Sequence, residues 1–177
     1  MSLELPMPTV REELARWLEG ADRVVVLGLG NPLRRDDFVG VAVVRELRRL
    51  LAERARRGEE AAGRVLLLEG GSAPENVLGL VARAGPSHVL IIDAADLGRE
   101  PGSVALIKPE EAGSSHLPST HTLSLRFLCS YLANLTRARL LVLGVQPKDL
   151  GLGEGLSPEV AKAARRLAEL LAELLPS

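Results

Sequence analysis

With 177 residues, 46% of them hydrophobic, the chain can bury one real core and falls within the usual size of a single domain. Its formal charge of −1 gives no electrostatic reason to expect nucleic acid or an anionic membrane as partner. A single cysteine, Cys129, excludes an internal disulfide and a cysteine-built metal cluster.

No run nears the ~20 apolar residues that span a bilayer, and the start lacks a basic-then-apolar leader. The chain is therefore expected to be cytoplasmic, with no membrane insertion and one domain over residues 1–177. Aromatic residues are only 2%, so Leu, Val and Ala must build the core. No long apolar surface stripe is evident, which makes a monomer the expectation.

The first element is a helix over Thr9–Leu18, opened by a Thr9-x-x-Glu12 capping box, within an N-terminal helical arm of residues 1–20. Arg23–Leu29 is an unbroken apolar strand that runs into the turn Gly28-Leu29-Gly30-Asn31-Pro32. A helix follows over Asp37–Arg56, then a strand at Arg64–Leu68. The segment Gly70–Asn76 leads into a helix over Ala73–Ala84, with Ser72-x-x-Glu75 as a capping box and Pro74 in the first turn. His88–Ile92 is a strand that ends in Asp93, and Ser103–Ile107 is the next. A helix over Leu123–Leu135, a strand over Arg139–Leu143 and an amphipathic helix over Pro158–Leu175 complete the chain.

Continuous Val, Leu and Ile runs mark strands covered on both faces. The fold class is therefore α/β, a three-layer domain with a twisted, mostly parallel five-stranded sheet and helices on both faces. One connection breaks the parallel pattern. Only about ten residues join the Asp93 strand to the Ser103 strand, and a parallel crossover needs about a dozen or more. The Ser103 strand should run antiparallel, which makes the sheet mixed.

The glycine turn could cradle a dinucleotide, but that fingerprint wants a third glycine where Leu33 stands. Asp36 and Asp37 would repel the pyrophosphate. The acidic pair has a structural reading: one Asp caps the following helix and the other favours its dipole. It also has a functional one. If the strands that lead to Asp37 and Asp93 are neighbours, both carboxylates face one crevice. Two unit charges ~4 Å apart repel by about 4 kcal/mol at an effective dielectric near ~20. Such a pair calls for a cation or a shared proton.

Of the three histidines, His88 precedes an apolar strand at the wrong end, and His116 lies in a loop between Gly113 and Pro118. His121 stands beside a helix start and is the better ligand candidate. Gly70 and Gly71 either shape a helix start or let backbone approach a substrate peptide. Gln146, at the end of the last strand, is a candidate to line the same groove.

These residues together resemble the endopeptidases that mature the large subunit of nickel-iron hydrogenases. The resemblance runs from Val24 to Leu175. It rests on Gly30-Asn31-x-Leu33-x-x-Asp36-Asp37-x-x-Gly40, Ile92-Asp93-Ala94, Thr120-His121 and Leu143-Gly144-Val145-Gln146-Pro147. Gly70-Gly71-Ser72-Ala73-Pro74-Glu75-Asn76 is most similar to the subgroup that serves formate-hydrogenlyase-type hydrogenases. The resemblance implies a protease that removes a C-terminal extension from the large-subunit precursor after nickel insertion, recognising the nickel itself.

It further implies Asp37, Asp93 and His121 as metal ligands, Asp37 and Asp93 as catalytic groups, and Asn31, Gly70, Gly71 and Gln146 on the substrate side. The nickel would come with the substrate, and another divalent ion such as zinc or cadmium could occupy the site. Two departures stand out: Arg35 and Phe38 replace glycines that many members carry beside the acidic pair. Two other readings remain. Gly28–Pro32 also matches an early turn of peptidyl-tRNA hydrolases, though their Arg-His-Asn run has no counterpart here. A non-catalytic, nickel-sensing maturation chaperone is the other.

Overall fold

A computed structural model describes residues 7–59, 63–112 and 125–176. Five strands form one sheet: β1 (Val24–Leu29), β2 (Val65–Gly71), β3 (His88–Ala94), β4 (Val104–Ile107) and β5 (Arg139–Val145), in the order β2-β1-β3-β5-β4. The pairs β1–β2, β1–β3 and β3–β5 are parallel, and β4 is antiparallel to β5. The mixed sheet is therefore as the connection length required. The connection nevertheless crosses the end of β5, so β4 lies on the far edge rather than beside β3.

The helices are α1 (Met7–Trp17), α2 (Val39–Arg56), α3 (Leu78–Ala84), α4 (Leu125–Thr136) and α5 (Pro158–Leu174). Alternate residues of each strand supply two cores. Val24 and Val26, Leu90 and Ile92, and Leu141 and Leu143 pack with α1, α2 and α5. Val25 and Leu27, Val89 and Ile91, and Val142 pack with α3 and α4. Burial on both faces is why β1 and β3 read as unbroken apolar runs, since neither face meets water.

Several expected helix starts are corrected. Helix α1 begins at Met7, so Thr9 lies inside it and the Thr9 capping box does not form. A 3-10 turn, Arg35–Phe38, precedes α2, and Phe38 occupies the cap position with no side-chain cap bond, so neither Asp36 nor Asp37 caps the helix. A second 3-10 turn, Pro74–Val77, follows Ala73 without a side-chain cap, so the Ser72 box is not made either. Helix α4 carries Phe127, Tyr131 and Leu135 to the surface, an apolar stripe that composition did not reveal. Among the described residues no helix is long and apolar enough to cross a membrane.

Candidate functional site

From β1 the chain steps to β2 on one side, and from β3 it goes to β4 and then β5 on the other. The crevice between the ends of β1 and β3 is thus a topological switch point, where open α/β sheets bind ligands. Two glycines sink α2 into it. A Cβ on Gly28 would lie 2.3 Å from the Gly40 carbonyl oxygen, and one on Gly40 would lie 2.1 Å from that of Ile92. Backbone therefore rests on backbone, and the turn carrying Asp37 is pressed against the strand that carries Asp93.

Both carboxylates are buried, each at 2% exposure. The Asn31 N–H donates to one Asp37 carboxylate oxygen at 2.9 Å, and the Asn31 side chain accepts from the Leu33 N–H at 2.9 Å. Gly30, at φ 139°, admits the Asp37 carbonyl where a side chain would collide. Asp93 pairs in register with Gly144 of β5, which holds its backbone inside the sheet. His121 and His116 lie outside the described residues. Among those that are described, no cluster of three or more His, Cys, Asp or Glu side chains could hold a metal ion. The third histidine, His88, is buried at the opposite end of β3, as its position before the strand implied.

Asp36 does something that its sequence context did not reveal. Its side chain is fully buried and accepts from the N–H groups of Lys148 at 2.9 Å, Asp149 at 3.0 Å and Ser157 at 2.7 Å, and from the Ser157 hydroxyl at 2.8 Å. Burial alone would raise its pKa. The N–H donors of Ser157, Asp149 and Lys148, with the Ser157 hydroxyl, outweigh burial and hold the carboxyl below its ordinary value. Three of the four donors are backbone amides more than a hundred residues away, and amides leave no mark in a sequence.

The substrate-side candidates each have a local structural task. Gly71 adopts φ 57° and its carbonyl accepts from the Gly30 N–H at 2.9 Å. A Cβ on Gly70 would lie 2.8 Å from Leu29 Cδ2. The Gln146 side-chain oxygen accepts from the Leu97 N–H at 2.5 Å, and its amide nitrogen donates to the Pro147 carbonyl at 3.2 Å. That side chain thus ties the 95–103 connector over the end of β5.

Arg35 adopts φ 44° and reaches Asp149 at 3.4 Å. Phe38 lies beneath the Arg45 guanidinium, 5.1 Å from its ring centre, and Arg45 and Arg48 both bind Glu69 of β2. Hydrogen bonds from Arg45 first, then Arg48, hold the Glu69 carboxyl below its ordinary value against the effect of burial. The bulk at position 38 is thereby fixed against β2.

The sequence model of the hydrogenase maturation protease family matches residues 41–174, which hold β3, β5 and α5 and begin four residues after Asp37. The chain belongs to the hydrogenase maturation protease family. A solved hydrogenase maturation protease of Thermococcus kodakarensis shares 35% identity and a TM-score of 0.80, over 92% of this chain and 98% of that one. The hydrogenase 3 maturation protease of Escherichia coli K12 is 29% identical over 83% of this chain and 87% of its own length. The hydrogenase 2 maturation protease of the same organism is 31% identical over 88% and 92%.

A protease of this family needs a group to activate water or a nucleophile of its own. Cys129 is not that nucleophile. It is buried in the α4 layer, and burial pushes its thiol up to about 12, so no thiolate is present near neutral pH. The carboxylates of Asp37 and Asp93 are, by contrast, buried at the switch point. Family membership also separates this chain from peptidyl-tRNA hydrolases, whose short glycine turn it shares at Gly28–Pro32.

Proposed function

We infer that this protease removes the C-terminal extension of a nickel-iron hydrogenase large-subunit precursor, and that it does so only once nickel is in place. The observation that carries the reading is the pair of buried carboxylates at the switch point, Asp37 in the turn that follows β1 and Asp93 near the end of the neighbouring β3. A crevice that gathers two carboxylates away from water favours a cation between them. His121 supplies the third ligand. Two oxygens and one imidazole form a fairly hard site with no thiolate. Such a site can share an ion already gripped by the precursor without stripping it away. In a preparation without precursor, zinc or cadmium can take the same place.

Held by Asp37, Asp93 and His121, an ion would supply Lewis-acid chemistry toward the scissile carbonyl or the attacking water. Water adds to the carbonyl carbon, its proton passes to Asp37 or Asp93 as an aspartic general base, and that proton goes on to the leaving amine. Asn31 keeps the Asp37 carboxylate turned toward the crevice, while Gly70, Gly71 and Gln146 border the path of the substrate strand. The reading puts the reaction in the cytoplasm, between one copy of this chain and one precursor.

The test compares nickel-loaded with nickel-free precursor, using wild type, Asp37→Asn, Asp93→Asn and His121→Ala. Wild type should shorten only the loaded precursor. Each variant should lose at least about a hundredfold in rate, the scale of a lost general base. Equal cleavage of both precursors would end the checkpoint reading. A precursor bound by wild type but left at full length would favour a nickel-sensing chaperone instead.

A further inference from the structure

The acid next to Asp37 takes no part in the chemistry above, yet few side chains in the fold accept as many hydrogen bonds. We propose that Asp36 is a positioning residue for cleavage: it locks the 148–157 segment against the acidic turn, so that this segment forms the second lip of the peptide cleft. The assignment rests on cleavage occurring at the Asp37–Asp93 crevice.

A carboxylate offers about four lone-pair sites. Four donors from the 148–157 segment engage the buried Asp36, three on Oδ2 and one on Oδ1, which commits this carboxylate to holding that segment. The backbone repeats the attachment on either side. The Asp36 N–H donates to the Asp149 carbonyl at 3.0 Å, the Arg35 N–H to Gly153 at 3.0 Å, and the Gly153 N–H to Leu33 at 2.9 Å. The Arg34 side chain adds a bond to the Leu150 carbonyl at 3.2 Å. Residues 33–36 and 149–153 thus pair outside the main sheet, with Arg34 and Gly153 bridged.

That segment contains Gly151, Gly153 and Gly155, and such a loop is costly to order without specific bonds. What the ordering achieves is visible at the tip. Leu152 is 84% exposed and Leu33, across the pairing, 56%. Two large apolar side chains held in water by an ordered glycine loop have no core to fill. They border the turn whose next residues are Asp36 and Asp37, where an extended precursor strand enters the crevice. Asp36 thereby fixes the turn that aims Asp37 and also the lip that the strand leans on.

An Asn at this position cannot replace the carboxylate, because its NH2 group would face N–H or O–H donors in either orientation. The experiment uses the full-length chain and nickel-loaded precursor, with Asp36→Asn, Ser157→Ala, Ser157→Thr, Leu152→Ser and Asp37→Asn. Hydrogen exchange at the Lys148, Asp149 and Ser157 amides should quicken about tenfold or more in Asp36→Asn, while the β1 and β3 amides keep their protection. Its kcat per folded molecule should fall about thirtyfold, since small misplacements of a reacting group carry losses up to about a hundredfold. Ser157→Ala should lose about threefold in kcat, and Ser157→Thr, which keeps the hydroxyl, should recover it. Leu152→Ser, a surface change, should raise KM about fivefold.

If Asp36→Asn lowers thermal stability but leaves kcat and KM per folded molecule as in wild type, the positioning role is overturned and Asp36 is structural only. If that variant does not fold, Ser157→Ala and Leu152→Ser decide, and wild-type kinetics in both overturn the proposal. The Asp37→Asn arm separates the two levels. Wild-type cleavage by Asp37→Asn overturns the crevice itself, whereas an inactive Asp37→Asn beside a fully active Asp36→Asn overturns only the lip.

Discussion

The two ends of the central strands are built by opposite rules. Where β1, β3 and β5 begin, the described residues hold no buried acid, and the side-chain bonds tie exposed groups around Ser87 and Arg23. The Ser87 hydroxyl oxygen accepts from the Asp22 and Arg23 N–H groups, and Arg23 donates to the Ala84 carbonyl that ends α3. His88 is buried there against the edge of Trp17, 4.9 Å between ring centres, with Ser87 on its Nδ1. Where the same strands end, buried polar side chains clasp loops: Asp36 the 148–157 segment, and Gln146 the 95–103 connector. The first rim seals a core, while the second holds three buried acids, Asp36, Asp37 and Asp93, in place. Loops at the carboxyl ends of parallel strands are free to do this, because the sheet itself fixes only where they start.

The sharpest way to break that contrast is to lift α2 off the second rim. Gly40→Ala should gain helix propensity of up to about 1 kcal/mol, but its Cβ would press on the Ile92 carbonyl from 2.1 Å. Backbone on both sides of the contact cannot step aside, so the cost should exceed the usual ~1–3 kcal/mol of overpacking and reach about 3–4 kcal/mol. The expected net loss is about 2–3 kcal/mol, a fall in Tm of roughly 5–10 °C for a chain of this size. Cleavage should fall further than stability explains, because the Asp37 turn moves with the helix. Gly63→Ala, with nothing within 4 Å of its Cβ, is the control and should be nearly neutral. Thermal unfolding with a cleavage assay checks both, and a stable, active Gly40→Ala would refute the backbone seat.

That seat also shows how much could be read in the sequence. Strand positions were legible because burial on both faces leaves unbroken Val, Leu and Ile runs at 24–27 and 89–92. The antiparallel β4 was legible from a connection too short for a crossover, but its place beside β5 was not, since length does not say which strand a connection passes. Asp37 and Asp93 were legible as strand-end acids on one rim. The task of Asp36 was not, because its partners are mainly main-chain N–H groups. The capping boxes at Thr9 and Ser72 misled for a related reason: each matches a local pattern, while the chain starts its turns where packing sets them. The glycines at 28 and 40 were visible as motif letters, and only contact distances show what they do.

The opposite rim predicts a pH response unrelated to cleavage. Burial first, then the charge of Arg139, holds the His88 imidazole below its ordinary value. The folded protein thus prefers neutral His88, whereas the unfolded chain protonates near about 6.5. The contribution is therefore complete above about pH 6.5 and is lost as pH falls below it, with a slope of at most about 1.4 kcal/mol per pH unit for one proton. His88→Gln should flatten that part of the stability curve in urea unfolding between about pH 7 and about pH 5, and leave cleavage near neutral pH unchanged. An unchanged slope would show that His88 stays accessible to protons in the fold.

The smallest effect is expected at the exposed margin of the second rim. Arg35 holds a left-handed conformation, φ 44°, that costs a side chain about 1–2 kcal/mol and that glycine adopts freely. Arg35→Gly relieves this strain and frees the unfolded chain as well, which returns about 0.5–1 kcal/mol to the other side. It also removes the contact to Asp149, an ion pair at 3.4 Å whose members are each about half exposed, worth about 0–1 kcal/mol. The terms nearly cancel, so Tm should move by no more than about 3 °C in either direction. The backbone pairing of 33–36 with 149–153 survives the substitution, because Arg35 contributes to it through its N–H. A loss above about 2 kcal/mol would mean that the guanidinium, packed 2.8 Å from where a Cβ on Gly153 would stand, carries the loop together with Asp36. The rim would then be held from its surface as well as from its buried acid.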